Sequence, residues 1–157
     1  MKNPYPKPVT LLLAEDDPDD LLLARQALEK SRLASDLRCV EDGEELLDYL
    51  RRRGKYADPK QSPRPGLILL DLNMPRKDGR EALREIKSDP RLRAIPIVVL
   101  TTSKSDEDVA RTYNLGVNSY ITKPARFSAL VEVMQAIGKY WFEIVELPGR
   151  PQANPHR

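Results

Sequence analysis

The chain has 157 residues, the size of one domain and long enough to bury a single apolar core. Charged residues make up 32% of the chain, and the formal net charge is only +2. This balance excludes a dedicated nucleic-acid-binding arm, and the composition excludes a collagen-like or disordered chain.

Targeting and redox features indicate a cytoplasmic protein. No apolar run approaches the ~18 residues of a membrane span, and the opening segment MKNPYPKP lacks the apolar stretch of a secretory signal. The single cysteine, Cys39, excludes an internal disulfide and a multi-cysteine metal site. The single histidine, His156, is next to the last residue. We therefore expect no histidine-based catalytic triad, no zinc site of several histidines and no kinase that phosphorylates its own histidine.

Five apolar, strand-like segments alternate with five amphipathic, helical segments. We predict strands over 9–14, 37–40, 67–70, 97–100 and 119–122. We predict a helix that begins near Pro18 and further helices over 44–53, 80–88, 106–113 and, as an extended last helix, 127–145. The third and fourth strands, LILL and IVVL, do not alternate with polar residues, as is typical of central strands covered on both faces. The pattern predicts an α/β fold with a five-stranded parallel sheet.

Proline clusters predict the boundaries of this domain. Three of the 14 prolines lie in 1–8, three in 59–65 and three in 148–155. We expect one domain over 8–147, flexible ends at 1–7 and 148–157, and an exposed loop at 54–65.

Polar residues follow four of the five strands at the point where each strand ends. The first strand is followed by Glu15, Asp16 and Asp17, and the third by Asp71. Thr101 follows the fourth strand and Lys123 the fifth. In open parallel sheets, ligands bind outside the carboxyl ends of the strands. We therefore expect two acidic groups, a hydroxyl and an ammonium to meet at one edge of the sheet.

The acidic cluster Glu15–Asp20 has two interpretations that can both hold. Asp17 before Pro18 fits a helix N-cap, and Asp19 and Asp20 suit the positive end of the helix dipole. Glu15 and Asp16 precede that cap at the end of a buried strand, where neighbouring carboxylates are costly unless a cation compensates them. With Asp71 they would form an all-oxygen site that suits Mg²⁺.

Asp71 is the candidate nucleophile. A carboxylate beside a metal can attack a phosphoryl group and become an acyl phosphate, with Lys123 and Thr101 contacting the transferring oxygens. Phosphatases of the haloacid dehalogenase type also use an aspartyl nucleophile, but they need a second Asp two residues later, where this chain has Asn73. Lys123 precedes Pro124, and a cis bond there could direct the ammonium inward. Tyr120 is either a core ring or a ring that changes rotamer when Thr101 moves.

Four motifs in order make the chain resemble the receiver domain of two-component response regulators. They are LLLAEDD at Leu11–Asp17, LILLDLNMPRKDG at Leu67–Gly79, VVLTTS at Val98–Ser103 and SYITKP at Ser119–Pro124. Asp71 precedes Thr101 by 30 residues and Lys123 by 52, close to receiver spacing. Two features depart from the family pattern. The first acidic pair is Glu-Asp, and the stretch from Asp16 to Asp71 is longer than usual.

The resemblance implies a doubly wound, flavodoxin-like receiver fold and a role for each motif residue. Asp71 would accept a phosphoryl group from a histidine kinase, and Thr101 and Lys123 would contact its oxygens. Asp16, Asp71 and the backbone carbonyl of Asn73 would bind Mg²⁺, with Glu15 acting through water. Thr101 and Tyr120 would switch the face built from the fourth helix, fifth strand and fifth helix. The alternatives are a Mg²⁺-dependent phosphohydrolase that uses an aspartyl phosphate, and an adaptor that works unphosphorylated.

Two features of the sequence bear on the partners of this protein. Few residues follow the fifth helix, so we expect no DNA-binding output domain and no nucleic-acid partner. The basic segment Arg51–Arg64, with six Lys and Arg against one Asp, is either a solvated loop or a kinase-docking site.

The last helix carries an apolar stripe that can face the sheet: Phe127, Leu130, Val131, Met134, Ile137, Trp141, Ile144 and Val145. Val133, Tyr140 and Phe142 widen it, so the helix either wraps its own domain or forms a protein interface. The ending, the long loop and DLNMPRKDGRE resemble the small regulators paired with bacterial phytochromes. That resemblance implies a phytochrome-type kinase partner and a homodimer. The dimer would form through the switching face and the extension, and its interface residues would be Tyr140, Trp141, Phe142, Ile144 and Val145.

Overall fold

Five strands alternate with five helices in the computed structural model, which describes residues 9–31 and 35–148. The strands are β1 (Val9–Ala14), β2 (Ser35–Val40), β3 (Leu67–Leu70), β4 (Ile97–Thr101) and β5 (Ser119–Thr122). The helices are α1 (Pro18–Ser31), α2 (Gly43–Arg51), α3 (Gly79–Ser88), α4 (Asp106–Leu115) and α5 (Phe127–Lys139), with a 3₁₀ helix at Gly54–Tyr56 and a π-helical turn at Tyr140–Ile144. The ends predicted to be flexible, 1–7 and 148–157, lie outside the described residues except for Pro148.

The strands form one parallel sheet in the order β2-β1-β3-β4-β5. The chain leaves β1 toward one edge to form β2 and then crosses to β3 on the other side of β1. The connections after β1 and β3 therefore diverge, which opens a crevice at the carboxyl ends of these two strands. The predicted doubly wound α/β fold is confirmed, and this crevice is where the fold places a ligand.

Helices cover both faces of the sheet, which explains the continuous apolar strands. Along β3, Ile68 and Leu70 face the core formed with α2 and α3, whereas Leu67 and Leu69 face the core formed with α1 and α5. Alternate residues of a strand point to opposite faces, so a strand covered on both sides must be apolar at every position. All four of these side chains are fully buried.

The loop at 54–65, predicted to be exposed, is in part folded onto α2. The Tyr56 ring lies 5.1 Å from the Tyr49 ring, and the Tyr56 hydroxyl donates to Glu45 at 2.5 Å. Ser62 is buried and its hydroxyl donates to the Tyr56 carbonyl oxygen at 2.7 Å. Proline and charge correctly indicated a loop, but these aromatic and hydroxyl contacts hold it against the domain.

The basic segment Arg51–Arg64 makes many contacts within the chain. Arg51 pairs with Glu85 of α3 and with Asp89, the residue directly after α3. Arg64 donates to the Arg91 carbonyl oxygen at 2.8 Å. Other intramolecular contacts of its basic side chains are those of Arg52 with the Ser62 carbonyl, Arg53 with Asp48, and Lys55 with Glu45 and the Tyr56 ring. These contacts favour the interpretation as a solvated loop, and kinase docking stays a prediction.

The C-terminal helix extends as far as predicted, but its hydrogen bonding changes near the end. The Val145 N–H donates to the Tyr140 carbonyl oxygen at 3.0 Å, a bond across five residues. Ile144 lies within this wider turn and is 62% exposed instead of facing the sheet. Phe127 is also 47% exposed, because helical spacing predicts the side of a helix and not how far the sheet extends beneath it.

Candidate functional site

The structure brings the polar residues that follow four strands to one edge of the sheet. The parallel ladder continues one residue beyond the strands, because the Asp71 N–H donates to the Ala14 carbonyl at 3.0 Å and the Lys123 N–H to the Thr101 carbonyl at 2.7 Å. The Glu15 N–H likewise donates to Val40 of β2 at 2.9 Å. These backbone bonds fix where each side chain starts, so the strand order alone places the groups together.

Glu15, Asp16 and Asp71 form a carboxylate cluster. One oxygen from each lies within 4.8 Å of the others. Glu15 is 2% exposed and Asp71 5%, whereas Asp16 faces solvent. Three hard oxygen donors with one open side fit a divalent ion that keeps part of its water shell. The donor set is therefore suited to Mg²⁺ or a similar divalent cation.

Lys123 supplies the positive charge at the buried side of this cluster. Its Nζ donates to Asp71 Oδ2 at 3.2 Å, to Asp20 Oδ2 at 2.7 Å and to Glu15 Oε1. An ammonium has three N–H donors, and each of them finds a carboxylate here. The described residues contain no cis peptide bond, so the cis bond considered before Pro124 is wrong. The carboxylates alone account for the direction of the ammonium.

Burial and hydrogen bonding together set the pKa values of Glu15 and Lys123. It raises the pKa of Glu15 to about 7 against the hydrogen bond from Lys123, and the nearby Asp71 carboxylate adds to the increase. Burial by itself would lower the pKa of Lys123, but the hydrogen bonds that its ammonium donates to Asp20 and Glu15 more than offset this effect, so that the pKa is raised. Lys123 therefore stays charged, and it supplies the positive charge that faces the Glu15 and Asp71 carboxyls.

Thr101 and Asn73 hold the second oxygen of Asp71. The Thr101 hydroxyl donates to Asp71 Oδ1 at 2.8 Å, and the Asn73 backbone N–H donates to the same oxygen at 3.1 Å. The Asn73 side-chain amide lies 3.5 Å from the Thr101 hydroxyl. Both carboxylate oxygens of Asp71 thus accept hydrogen bonds, one from Thr101 and Asn73 and the other from Lys123.

Gly79 lets the loop after β3 close tightly behind the site. A Cβ at this position would lie 2.4 Å from the Asp71 carbonyl oxygen, well inside any allowed contact. The Gly79 N–H donates to the Leu72 carbonyl at 3.0 Å. Only glycine allows α3 to begin this close to the residue after Asp71.

Sequence reasoning missed Asp20 as part of the site. It was assigned to the helix dipole, and the structure does place it in the first turn of α1, after the cap in which Asp17 accepts from the Asp19 N–H at 2.8 Å. Its carboxylate also bonds Lys123. The available signal was its position in the first turn of the helix that directly follows the carboxylates at the end of β1.

Tyr120 lies half-buried beside the site. Its hydroxyl donates to the Ser103 carbonyl oxygen at 3.0 Å, and its backbone N–H donates to the Tyr113 hydroxyl at 3.1 Å. The ring packs against the core on the α2–α3 face. Tyr120 is therefore packed as a core ring whose hydroxyl contacts the loop after Thr101, and a change of its rotamer with Thr101 stays a prediction.

The predicted interface residues have different environments. Tyr140 is 51% exposed, and Ile144 is exposed as well. Trp141 and Phe142 are half-buried and pack against the core of their own domain, while Val145 is partly buried. The extension therefore wraps its own domain in part and leaves Tyr140 and Ile144 as its outward apolar groups.

Comparison with known proteins identifies the family. The model of the response regulator receiver domain matches residues 11–135, and the chain belongs to this family. It is 45% identical to the response regulator Rcp1 of Synechocystis sp., over 90% of this chain and 94% of that protein. It is 41% identical to the probable methanogenesis regulatory protein FilR2 of Methanothrix harundinacea, over 90% of this chain and 89% of that protein.

Solved structures give the same result. The phosphorylated cyanobacterial phytochrome response regulator RcpA superposes with a TM-score of 0.85 at 45% identity, covering 90% of this chain and 99% of that one. The Mn²⁺-bound form of Rcp1 gives 0.84 at 45% identity with the same coverage. RPA3017, from red light signalling of R. palustris, gives 0.83 at 37% identity, covering 90% and 99%. Among the described residues, no helix combines the length and apolar character needed to cross a membrane.

Proposed function

We propose that Asp71 accepts a phosphoryl group from a phosphohistidine of a histidine kinase, in a reaction that needs Mg²⁺. The observation that carries this proposal is the set of contacts around Asp71. One oxygen faces the Thr101 hydroxyl at 2.8 Å, the other faces the Lys123 ammonium at 3.2 Å, and the oxygens of Glu15 and Asp16 complete a cation site beside it.

In this reaction a carboxylate oxygen of Asp71 attacks phosphorus and forms a P–O bond. The P–N bond to the imidazole breaks, and the imidazole leaves with the bonding electron pair. Thr101 and Lys123 contact the phosphoryl oxygens and stabilise their charge. When bound, Mg²⁺ offsets the negative charge of the phosphoryl oxygens. Asp16, Asp71 and the Asn73 carbonyl would hold that ion, with Glu15 acting through water.

The two rival functions have less support. A phosphohydrolase of the haloacid dehalogenase type would need an acid where the chain has Asn73, and an amide cannot supply a proton. An adaptor that works unphosphorylated would have no use for buried carboxylates whose mutual repulsion must be offset by Lys123. A signalling role without catalytic turnover fits this site better than either.

The relatives suggest the pathway and the assembly. RcpA and RPA3017 are described as regulators of phytochrome and red light signalling, so we propose a phytochrome-type histidine kinase as the phosphoryl donor. The chain would act in the cytoplasm as a response regulator that does not bind nucleic acid. It would form a homodimer through α4, β5, α5 and the extension. Phosphorylation would reach that face through Thr101 and Tyr120, whose hydroxyl already contacts Ser103 in the loop after β4.

Replacing the acceptor tests the phosphorylation. Incubated with acetyl phosphate and Mg²⁺, wild type should gain one phosphoryl group, and Asp71→Asn should gain none because an amide is not a nucleophile at this position. Intact-mass spectrometry measures the gain, and peptide mapping locates it. Asp48→Asn, which removes an exposed aspartate paired only with Arg53 among the described residues, should behave as wild type. An acyl phosphate that persists in Asp71→Asn would contradict the proposal.

A further inference from the structure

Arg80 and Asp108 form a two-point ion pair between α3 and α4. Arg80 Nε lies 2.7 Å from Asp108 Oδ1, and Arg80 Nη2 lies 2.6 Å from Asp108 Oδ2. Asp108 is 9% exposed and the Arg80 side chain 26%, so the pair is partly shielded from water. A parallel, two-bond contact between a guanidinium and a carboxylate fixes both position and orientation.

The remaining donors of Arg80 reach the loop that follows Asp71. Its Nη1 donates to Asp78 Oδ1 at 2.9 Å and to the Leu72 carbonyl at 3.4 Å. Its Nη2 lies 3.5 Å from Asn73 Oδ1. Leu72 and Asn73 are the two residues directly after Asp71, and the Asn73 N–H donates to the Asp71 carboxylate. Arg80 therefore braces the backbone that contacts the acceptor.

Asp108 reaches the other loop of the site. Its Oδ2 accepts a hydrogen bond from the Ser103 hydroxyl at 2.7 Å, and its N–H donates to the Ser105 hydroxyl at 3.2 Å. Ser103 is two residues after Thr101, whose hydroxyl bonds Asp71. The contacts form a closed ring from Asp71 through Thr101, the loop after β4, Asp108, Arg80 and the loop after β3.

We propose that Arg80 and Asp108 are positioning residues that hold the Thr101 hydroxyl and the Asn73 backbone N–H around Asp71. This inference rests on the proposed phosphorylation of Asp71. Two loops that move independently must lose their freedom when a phosphoryl group binds between them, whereas loops already joined by the ion pair lose less. The pair and the phosphoryl group therefore stabilise each other, and the coupling is reciprocal.

A purely structural ion pair would give a different result. It would stabilise the contact between two helices without changing the affinity of Asp71 for a phosphoryl group. Glu85 provides a matched control, because it links α3 to Arg51 of α2 and to Lys77, and its partners do not contact Asp71. Glu85→Gln removes an ion pair between α2 and α3 that is not part of the ring.

The experiment is a double-mutant cycle on the binding of beryllofluoride, a phosphoryl mimic, in saturating Mg²⁺, measured by calorimetry. Arg80→Gln and Asp108→Asn should each raise the dissociation constant about fivefold or more. The double variant should be little weaker than either single one, because both remove the same contact. Arg80→Lys, which keeps the charge but not the paired bonds, should lie between wild type and Arg80→Gln. Glu85→Gln should stay within about twofold of wild type.

Two results separate this inference from the function on which it rests. If wild type does not bind beryllofluoride, the proposed function fails and the inference fails with it. If wild type binds but Arg80→Gln and Asp108→Asn bind equally well, only the inference is overturned. Strictly additive effects of the two substitutions, or an equal loss in Glu85→Gln, would also overturn it. Circular dichroism establishes that each variant is folded, and Asp108→Asn, which is nearly isosteric, serves if Arg80→Gln does not fold.

Discussion

At the scale of single residues, the site balances buried negative charge with one ammonium. Glu15 and Asp71 are buried, and Lys123 bonds both of them as well as Asp20. Taking carboxylates out of water is costly, and losing the cation would leave that cost without compensation. A divalent ion and Lys123 would offset the charge of the same carboxylates. Loss of either cation should therefore lower the free energy of unfolding more when the other is absent.

Removing the ammonium tests this balance. Lys123→Met should lower the free energy of unfolding by about 3 kcal/mol in EDTA, since it leaves uncompensated buried carboxylates. Added Mg²⁺ should recover part of the loss. Urea denaturation with and without Mg²⁺ measures both effects. Arg53→Met, which breaks an exposed pair with Asp48, should cost less than about 1 kcal/mol and show no such recovery. An unchanged stability of Lys123→Met in EDTA would show that the carboxylates do not need the cation.

At the scale of elements, the site depends on how loops join neighbouring helices and strands. The N–H groups just beyond β1, β3 and β5 donate to the last carbonyl groups of β2, β1 and β4, which continues the sheet ladder by one residue. The loops after β3 and β4 are joined by side chains, chiefly at the start of α3 and α4. The Arg80 hydrogen bonds, followed by the bond from Ser103, lower the pKa of Asp108 to about 2.

The depressed pKa predicts how the junction of α3 and α4 responds to acid. Because the folded-state pKa of Asp108 is below its unfolded value of about 4, its ionised form stabilises the fold above that value, by at most about 2 kcal/mol. This contribution is lost as the pH falls toward 2. The stability difference between wild type and Asp108→Asn, measured by urea denaturation, should therefore be largest at pH 5 and smaller at pH 3.

The control for this junction is a neighbouring acid on the same helical turn. Glu107 is exposed and pairs with Arg111 within α4. Glu107→Gln should change stability little, and its effect should vary little with pH. A difference between wild type and Asp108→Asn that is equal at pH 5 and pH 3 would mean that the Arg80 contact does not lower the pKa of Asp108.

At the scale of the whole molecule, the extension after α5 determines what the outer surface offers a partner. Its turn of π helix directs Tyr140 and Ile144 outward while Trp141 and Phe142 pack against their own domain. A substitution of Trp141 would therefore disturb the fold as well as any interface. Tyr140 and Ile144 are the better probes of the proposed homodimer, because their removal leaves the core intact.

Light scattering tests that dimer. Wild type should have twice the mass of one chain, and the double variant Tyr140→Ser, Ile144→Ser should have the mass of one chain, since it removes the exposed apolar groups of the extension. Leu22→Ser removes a similarly exposed apolar side chain from α1 and should remain dimeric. A monomeric wild type, or a double variant that still dimerises, would count against assembly through the extension.

Much of this protein can be predicted from short stretches of its sequence. The alternation of apolar and amphipathic segments determines the α/β fold, and the polar residue after each apolar strand already indicates Asp71, Thr101 and Lys123. This works because side chains repeat their direction with a fixed period along a helix or a strand, and because parallel strands bring their carboxyl ends to one edge.

Only the tertiary structure decides which distant side chains meet. Arg80 and Asp108 are separated by 28 residues, and nothing in either local pattern indicates their contact. The folding of the 54–65 loop onto α2, the link from Asp20 to Lys123 and the outward turn at Ile144 are of the same kind. Each of these contacts depends on the distance and angle between packed elements. A periodic pattern does not contain this information, because periodicity specifies which face of an element is apolar and not what lies opposite that face.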